Sequence, residues 1–120
     1  RPASPVPVFD LVLLGLGRDG PTASLFPHSP ALDEEDRLCV ATAAPDGATR
    51  LTLTLPIINA ARRVAFLVSG AEKAGIVAEV LEGLRAPDAV PAQAVAPVKG
   101  QLLWLLDAAA AAELSPALRG

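Results

Sequence analysis

The apolar positions of this chain fall into short runs of two kinds. Residues 9–16 (FDLVLLGL) are almost continuously apolar, broken only by Asp10 and Gly15. Such a run suits a strand buried on both faces, hence a central strand of a parallel sheet. Residues 37–44 and 64–68 read as two more strands, the latter closing on Ser69-Gly70. Residues 50–55 (RLTLTL) alternate Thr with Leu, as a strand with unlike faces does. Pro45-Asp46-Gly47 before them is a turn signal. Residues 102–106 read as a last strand. Elsewhere the period changes. Ile76, Val77, Val80, Leu81 and Leu84 recur at helical spacing, with Glu72, Lys73, Glu79 and Glu82 mostly opposite them. That spacing predicts a helix over 71–84, weakened at Gly83 and ended by Pro87. Shorter helical segments are expected at 22–26, cut off by Pro27, at 57–61 after Pro56, and at 108–114. Residues 86–100 read as mostly loop, and residues 1–8, with prolines at 2, 5 and 7, as an extended linker.

Strand, turn and helix repeating in this order imply a layered α/β fold, a single domain over residues 9–120. Ligands in such folds sit beyond the carboxyl ends of the strands, which directs attention to loops 15–24 and 69–74. Composition narrows the class. At 52% apolar the chain is not disordered, and at 3% aromatic its core must be aliphatic. A net charge of -3 with scattered basic residues leaves no electrostatic footprint for nucleic acid. No apolar run reaches the ~18–20 residues that cross a bilayer, so no membrane partner is expected. The first residues lack the apolar core of a secretory signal. The single Cys39 excludes an intrachain disulfide and suits a reducing, cytoplasmic setting. In its apolar run it is expected as a small buried hydrophobe rather than a nucleophile. The acidic run 33–36 reads as a solvated loop or a first helical turn rather than a metal site. No metal or cofactor is expected. The chain contains no Met, not even at position 1, and reads as a piece of a longer protein.

The candidate chemistry lies after the first strand. Gly15, Gly17 and Gly20 allow a tight turn and close approach of backbone to a ligand. A dinucleotide site would also need a long helix opening here and an acidic residue closing the next strand. Pro21 and Pro27 leave no room for that helix, and the second strand ends in Thr42-Ala43-Ala44.

The full string over residues 15–27, GLGRDGPTASLFP, resembles the G-x-G-x-D-G-H-T-A-S-L-F-P signature of 6-phosphogluconolactonases. The likeness continues in order through RLTLTLP at 50–56, Ile58-Asn59-Ala60-Ala61, FLVSGAEKA at 66–74, Pro91-Ala92 and GQLLWLLD at 100–107. It implies a three-layer α/β/α fold with a mostly parallel sheet, shared with glucosamine-6-phosphate deaminases and ribose-5-phosphate isomerases. It also implies hydrolysis of 6-phospho-D-glucono-1,5-lactone in the pentose phosphate pathway. The continuation Thr22-Ala23-Ser24-Leu25-Phe26-Pro27 follows the lactonase pattern rather than the deaminase one. Lactone hydrolysis needs an activated water, a stabilised oxyanion and an anchor for a phosphate dianion. By the resemblance, Asp19 orients the catalytic histidine, Gly15, Gly17 and Gly20 form the turn, and Arg50 and Lys73 hold the substrate phosphate. Arg is suited to that role because it can bind two phosphate oxygens at once. Lys73 stands in the first turn of the expected helix, where a bound anion would relieve its clash with the helix dipole.

The position of the catalytic histidine is Pro21. Proline has no imidazole, and so no group that titrates near neutral pH. His28, the one histidine, reads as a surface-loop residue. Family members are also longer, and the resemblance places another Gly-rich loop and a D-E-R segment in the part absent here. Two expectations follow: a lactonase impaired by Pro21 and truncation, or a non-catalytic sugar-phosphate-binding or scaffold module of the same family. Half of a parallel sheet leaves an apolar edge and face uncovered, so self-association or a complementing N-terminal half is expected.

Overall fold

Three strands of this chain pair in parallel, and the register of that pairing sorts every residue on them into one of two faces. The structure is a computed structural model describing residues 6–119, so most of the expected linker over 1–8 lies outside the described residues. In chain order the elements are β1 (Val12–Leu14), β2 (Cys39–Ala43), β3 (Thr49–Leu53), α1 (Leu55–Asn59), β4 (Arg63–Val68), α2 (Ala74–Glu82), β5 (Gln101–Leu106) and α3 (Pro116–Arg119). β4 lies between β1 and β5, and both pairings are parallel.

Val12, Val64 and Leu102 stand in one row across the sheet, and Leu14, Phe66 and Trp104 in the next. This is the core face. Phe66 and Val64 are fully buried, and Phe66 stacks on Trp104 with ring centroids 4.1 Å apart and planes 13° from parallel. Ile57 and Ile58 from α1, Ile76 and Val77 from α2, and Val90, Ala92 and Val95 from the connection before β5 close over it. Burial of each large side chain contributes about 1.5–3 kcal/mol.

The opposite face differs from expectation. Residues 9–16 were expected to be buried on both sides as a central strand, but β1 is only three residues long and pairs on one side, with β4. Leu11 and Leu13 are 51% and 58% exposed, and Leu67, Leu103 and Leu105 extend the same open apolar face. The expectation of double burial therefore holds for one face only. On the other, these five leucines are left open among the described residues.

β2 and β3 form a separate antiparallel hairpin, closed by the Pro45-Asp46-Gly47 turn with Gly47 at φ 87°. Its β2 strand turns Thr42 inward and Cys39 outward, so Cys39 is exposed rather than buried as expected. The segment 22–26 is not helical. Thr22 and Leu25 bridge across a tight turn in which Ala23 has φ 52°.

The long helix appears as a 3-10 turn over Ala71–Lys73 running into α2, which Gly83 ends by donating back to the Glu79 carbonyl at 3.0 Å. Gln93, buried, satisfies that end. Its amide donates to the carbonyls of Glu79 and Leu84, both at 3.1 Å, and its Oε1 accepts from Ala86 N. Residues 108–114, expected as a helix, form consecutive turns, and only Pro116–Arg119 beyond them is helical. Asp107 stands at the head of that segment. Its carboxylate takes the amide of Ala110 at 2.8 Å and that of Gly70 at 3.2 Å, tying the turn to the β4–α2 loop.

Two predictions follow from the packing. A Cβ at Gly100 would lie 2.3 Å from the Ala61 carbonyl oxygen and 2.6 Å from that of Arg62. Gly100→Ala is expected to destabilise the chain by about 1–3 kcal/mol, read as a shift of the urea midpoint. The second concerns Glu82. The Ser115 hydroxyl, with the Ser115 amide 2.9 Å away, holds its carboxyl below the ordinary glutamate value. The contribution is therefore complete above the unfolded glutamate value and disappears as pH falls through the lowered folded one. The protection factors of the Ser115, Ala117 and Leu118 amides, taken against the intrinsic exchange rate at each pH, are expected to fall over that acid window, and Glu82→Gln to flatten the dependence.

Candidate active site

Everything at the carboxyl end of β1 is arranged around two consecutive carbonyls. The buried Thr22 hydroxyl donates to Gly15 O at 2.8 Å. The Lys73 ammonium donates to Leu16 O from the head of α2. Between them the chain doubles back: Gly17 N donates to Pro21 O at 2.8 Å, and Gly20 N to Gly17 O at 3.0 Å. The glycines are needed here. A Cβ at Gly17 would lie 2.7 Å from the Pro21 ring, and Gly20 has φ 93° with Val90 packed against it. The Gly20 carbonyl accepts from Ala92 N at 2.9 Å, which fixes the turn to the core.

A cleft of about 450 Å³ opens beside this turn. Gly15, Leu16, Gly17, Pro21, Thr22, Ala23 and Ser24 line one side, and Arg50 from β3 lines the other. Arg50 is partly exposed, and its guanidinium lies 3.5 Å from Asp46 in the hairpin turn. The side chain is thus held at the cleft by an exposed, weak ion pair that an incoming anion can displace.

Of the six residues singled out from the sequence, Gly15, Gly17 and Arg50 meet on this cleft. Lys73 reaches the same turn at Leu16, and its charge is met by that carbonyl, so no anion is required to relieve it. Asp19 and Gly20 do not line the cleft. Gly20 faces Val90, and Asp19 is exposed at the outer bend of the turn. Pro21 does line it, half-buried, and offers a ring and a carbonyl but no acid–base group. His28 is exposed in a loop, with its amide on Asp88 O at 2.7 Å, and does not reach the cleft lining.

Three residues carry structure here that the sequence reading did not single out: Thr22, Ser24 and Thr52. Ser24 N donates to Thr52 Oγ1 at 3.1 Å, which links the turn to the hairpin. The Thr/Leu alternation of residues 50–55 put Thr52 on the face of Arg50, but nothing in the pattern indicated what lies opposite.

Among the described residues no group of three or more His, Cys, Asp or Glu is placed to hold a metal, and no helix is long and apolar enough to cross a membrane.

Residues 1–104 match the family described as glucosamine-6-phosphate isomerases/6-phosphogluconolactonase. The chain is 51% identical over 110 residues to a 6-phosphogluconolactonase of Synechocystis sp., covering 92% of this chain and 45% of that protein. It is 44% identical over 108 residues to a 6-phosphogluconolactonase of Homo sapiens, covering 88% and 42% respectively. The solved 6-phosphogluconolactonase of Trypanosoma brucei superposes with a TM-score of 0.79 at 38% identity, covering 92% of this chain and 44% of that one. The mostly parallel sheet with its helices is therefore that of these proteins, and the chain spans about half the length of the relatives it matches. The match over residues 1–104, in a chain of 120, identifies it as belonging to the glucosamine-6-phosphate isomerase/6-phosphogluconolactonase family.

Proposed function

We propose that the cleft between the glycine turn and β3 is the substrate-gripping part of a 6-phosphogluconolactonase site, and that Pro21 leaves it without its base. The observation that carries this reading is the meeting of Arg50 with Gly15 and Gly17 on one cleft. The substrate class is a sugar-phosphate lactone. Arg50 takes the phosphate, exchanging Asp46 for a dianion that its guanidinium can bind through two N–H groups. Lys73 adds positive charge at the head of α2 while bracing the turn through Leu16.

Hydrolysis adds water to the lactone carbonyl, passes through a tetrahedral oxyanion and expels the ring oxygen, which takes up a proton. The amides of Gly17 and Gly20 are spent within the turn and Pro21 has none, so a donor to the oxyanion has to come from elsewhere around the cleft. A group that accepts the water's proton near neutral pH and passes it to the ring oxygen is required as well. Pro21 supplies none, and with it in place Asp19 has no imidazole to orient. Pro21 thus favours the second reading, a sugar-phosphate-binding module that holds its ligand and turns it over slowly or not at all. The open leucine face is covered, in this proposal, by a complementing half of the family fold or by self-association, in a cytoplasmic setting.

Lactone hydrolysis above the spontaneous rate, followed in the wild type and in Pro21→His, tests the reaction. Turnover is expected only with the histidine, and brisk hydrolysis by the wild type would overturn the account of Pro21. Binding of 6-phosphogluconate, followed by NMR titration, tests the cleft. Arg50→Gln is expected to weaken it by about tenfold or more, as loss of a charged hydrogen bond does; an unchanged affinity would remove Arg50 from the site. Asp46→Asn is expected to tighten binding by about two- to fivefold, since the arginine no longer leaves a carboxylate behind.

A further inference from the structure

We infer that Thr52 is a positioning residue that sets the distance between Arg50 and the glycine turn; this rests on the cleft reading above. The hairpin bearing Arg50 is a two-stranded sheet of its own, with no ladder to β1. Isolated two-stranded ribbons are marginal, so its placement depends on side chains. Among the described residues, one hydrogen bond joins residues 15–26 to the hairpin, from Ser24 N to Thr52 Oγ1 at 3.1 Å. Thr52 is 3% exposed, and its hydroxyl proton is committed to Leu53 O at 2.8 Å. The oxygen is therefore left to act as acceptor, and it is aimed at Ser24.

Both ends of that bond matter for the cleft. Thr52 stands two residues from Arg50 on β3, so the two side chains leave the same face of the strand. Ser24 belongs to the turn in which Ala23 holds φ 52°, a conformation that a non-glycine residue keeps only when its surroundings enforce it. The Thr22 hydroxyl on Gly15 O secures one side of that turn and Thr52 secures the other. Loss of the Thr52 hydroxyl frees the turn to relax away from β3, and the cleft widens at Arg50.

The test is a double-mutant cycle read by 6-phosphogluconate affinity. Thr52→Val keeps the shape and removes the acceptor. It is expected to weaken binding about fivefold, the worth of one buried hydrogen bond, with Thr52→Ser restoring it. In the Arg50→Gln background, Thr52→Val is expected to cost nothing further. An equal loss in both backgrounds would mean that Thr52 only supports the fold, and no loss in either would remove its role; both outcomes overturn the inference. Should Thr52→Val fail to fold, Thr52→Ala repeats the cycle. Should the wild type not bind 6-phosphogluconate, the cleft reading fails, and the positioning claim is decided without ligand. The Ser24 amide is then expected to exchange faster, and the Arg50 Nε–H resonance to shift, in Thr52→Val but not in Thr52→Ser. An unmoved Arg50 resonance overturns it.

Discussion

The site depends on which groups take the carbonyls of Gly15 and Leu16. They end a strand of three residues, too short to hold a loop by its own ladder. A hydroxyl from seven residues downstream takes the first, and an ammonium from the head of α2 takes the second. These bonds turn a flexible glycine segment into a fixed wall. They also bind three distant parts of the chain together, since Thr22 leads through Ser24 to the hairpin and Lys73 leads into the helix that covers Phe66. Both bonds are part-buried, and a net contribution of about 0.5–1.5 kcal/mol from a typical hydrogen bond, more where a charge donates, favours the turn as it stands.

The parts of the fold that could be read from the sequence were those whose pattern is local. The spacing of Ile76, Val77 and Val80 marks α2, and the break at Gly83 marks its end. The Pro45-Asp46-Gly47 turn between two apolar runs is a hairpin, though the runs themselves do not say whether they join the main sheet. Two elements were decided from far away. The alanines at 108–112 have high helix propensity, and Asp107 accepts from the Ala110 amide as an N-cap does, yet the segment stays a run of turns tied through Asp107 to the Gly70 amide, and propensity is a weak prior against tertiary context. The run at 9–16 has the composition of a doubly buried strand, but composition records what a strand is able to face, not what is present to face it.

The site was legible to a different degree. The motif segments led to Gly15, Gly17, Arg50 and Lys73; the first three line one cleft, and Lys73 reaches its turn at Leu16. Asp19 and Gly20 belong to the same string but serve the outside of the bend and its anchorage on Val90. The threonine connections were not legible, because a hydroxyl in a strand has the same appearance in a sequence whether it faces water, its own backbone or a neighbouring loop. Pro21 is the reverse case. Its identity alone excludes an acid–base group at that position, whatever its surroundings, and its ring fills the space over Gly17 that a side chain there would need.

The stacked pair of Phe66 and Trp104 has a practical bearing. The chain holds one tryptophan and no tyrosine, so its near-ultraviolet emission arises almost wholly from an indole lying across the β4–β5 seam. The indole N–H is shielded from solvent and makes no hydrogen bond among the described residues. The chain thus carries an optical gauge on the seam between its central strand and the β5 edge, one that reports separation of those two strands.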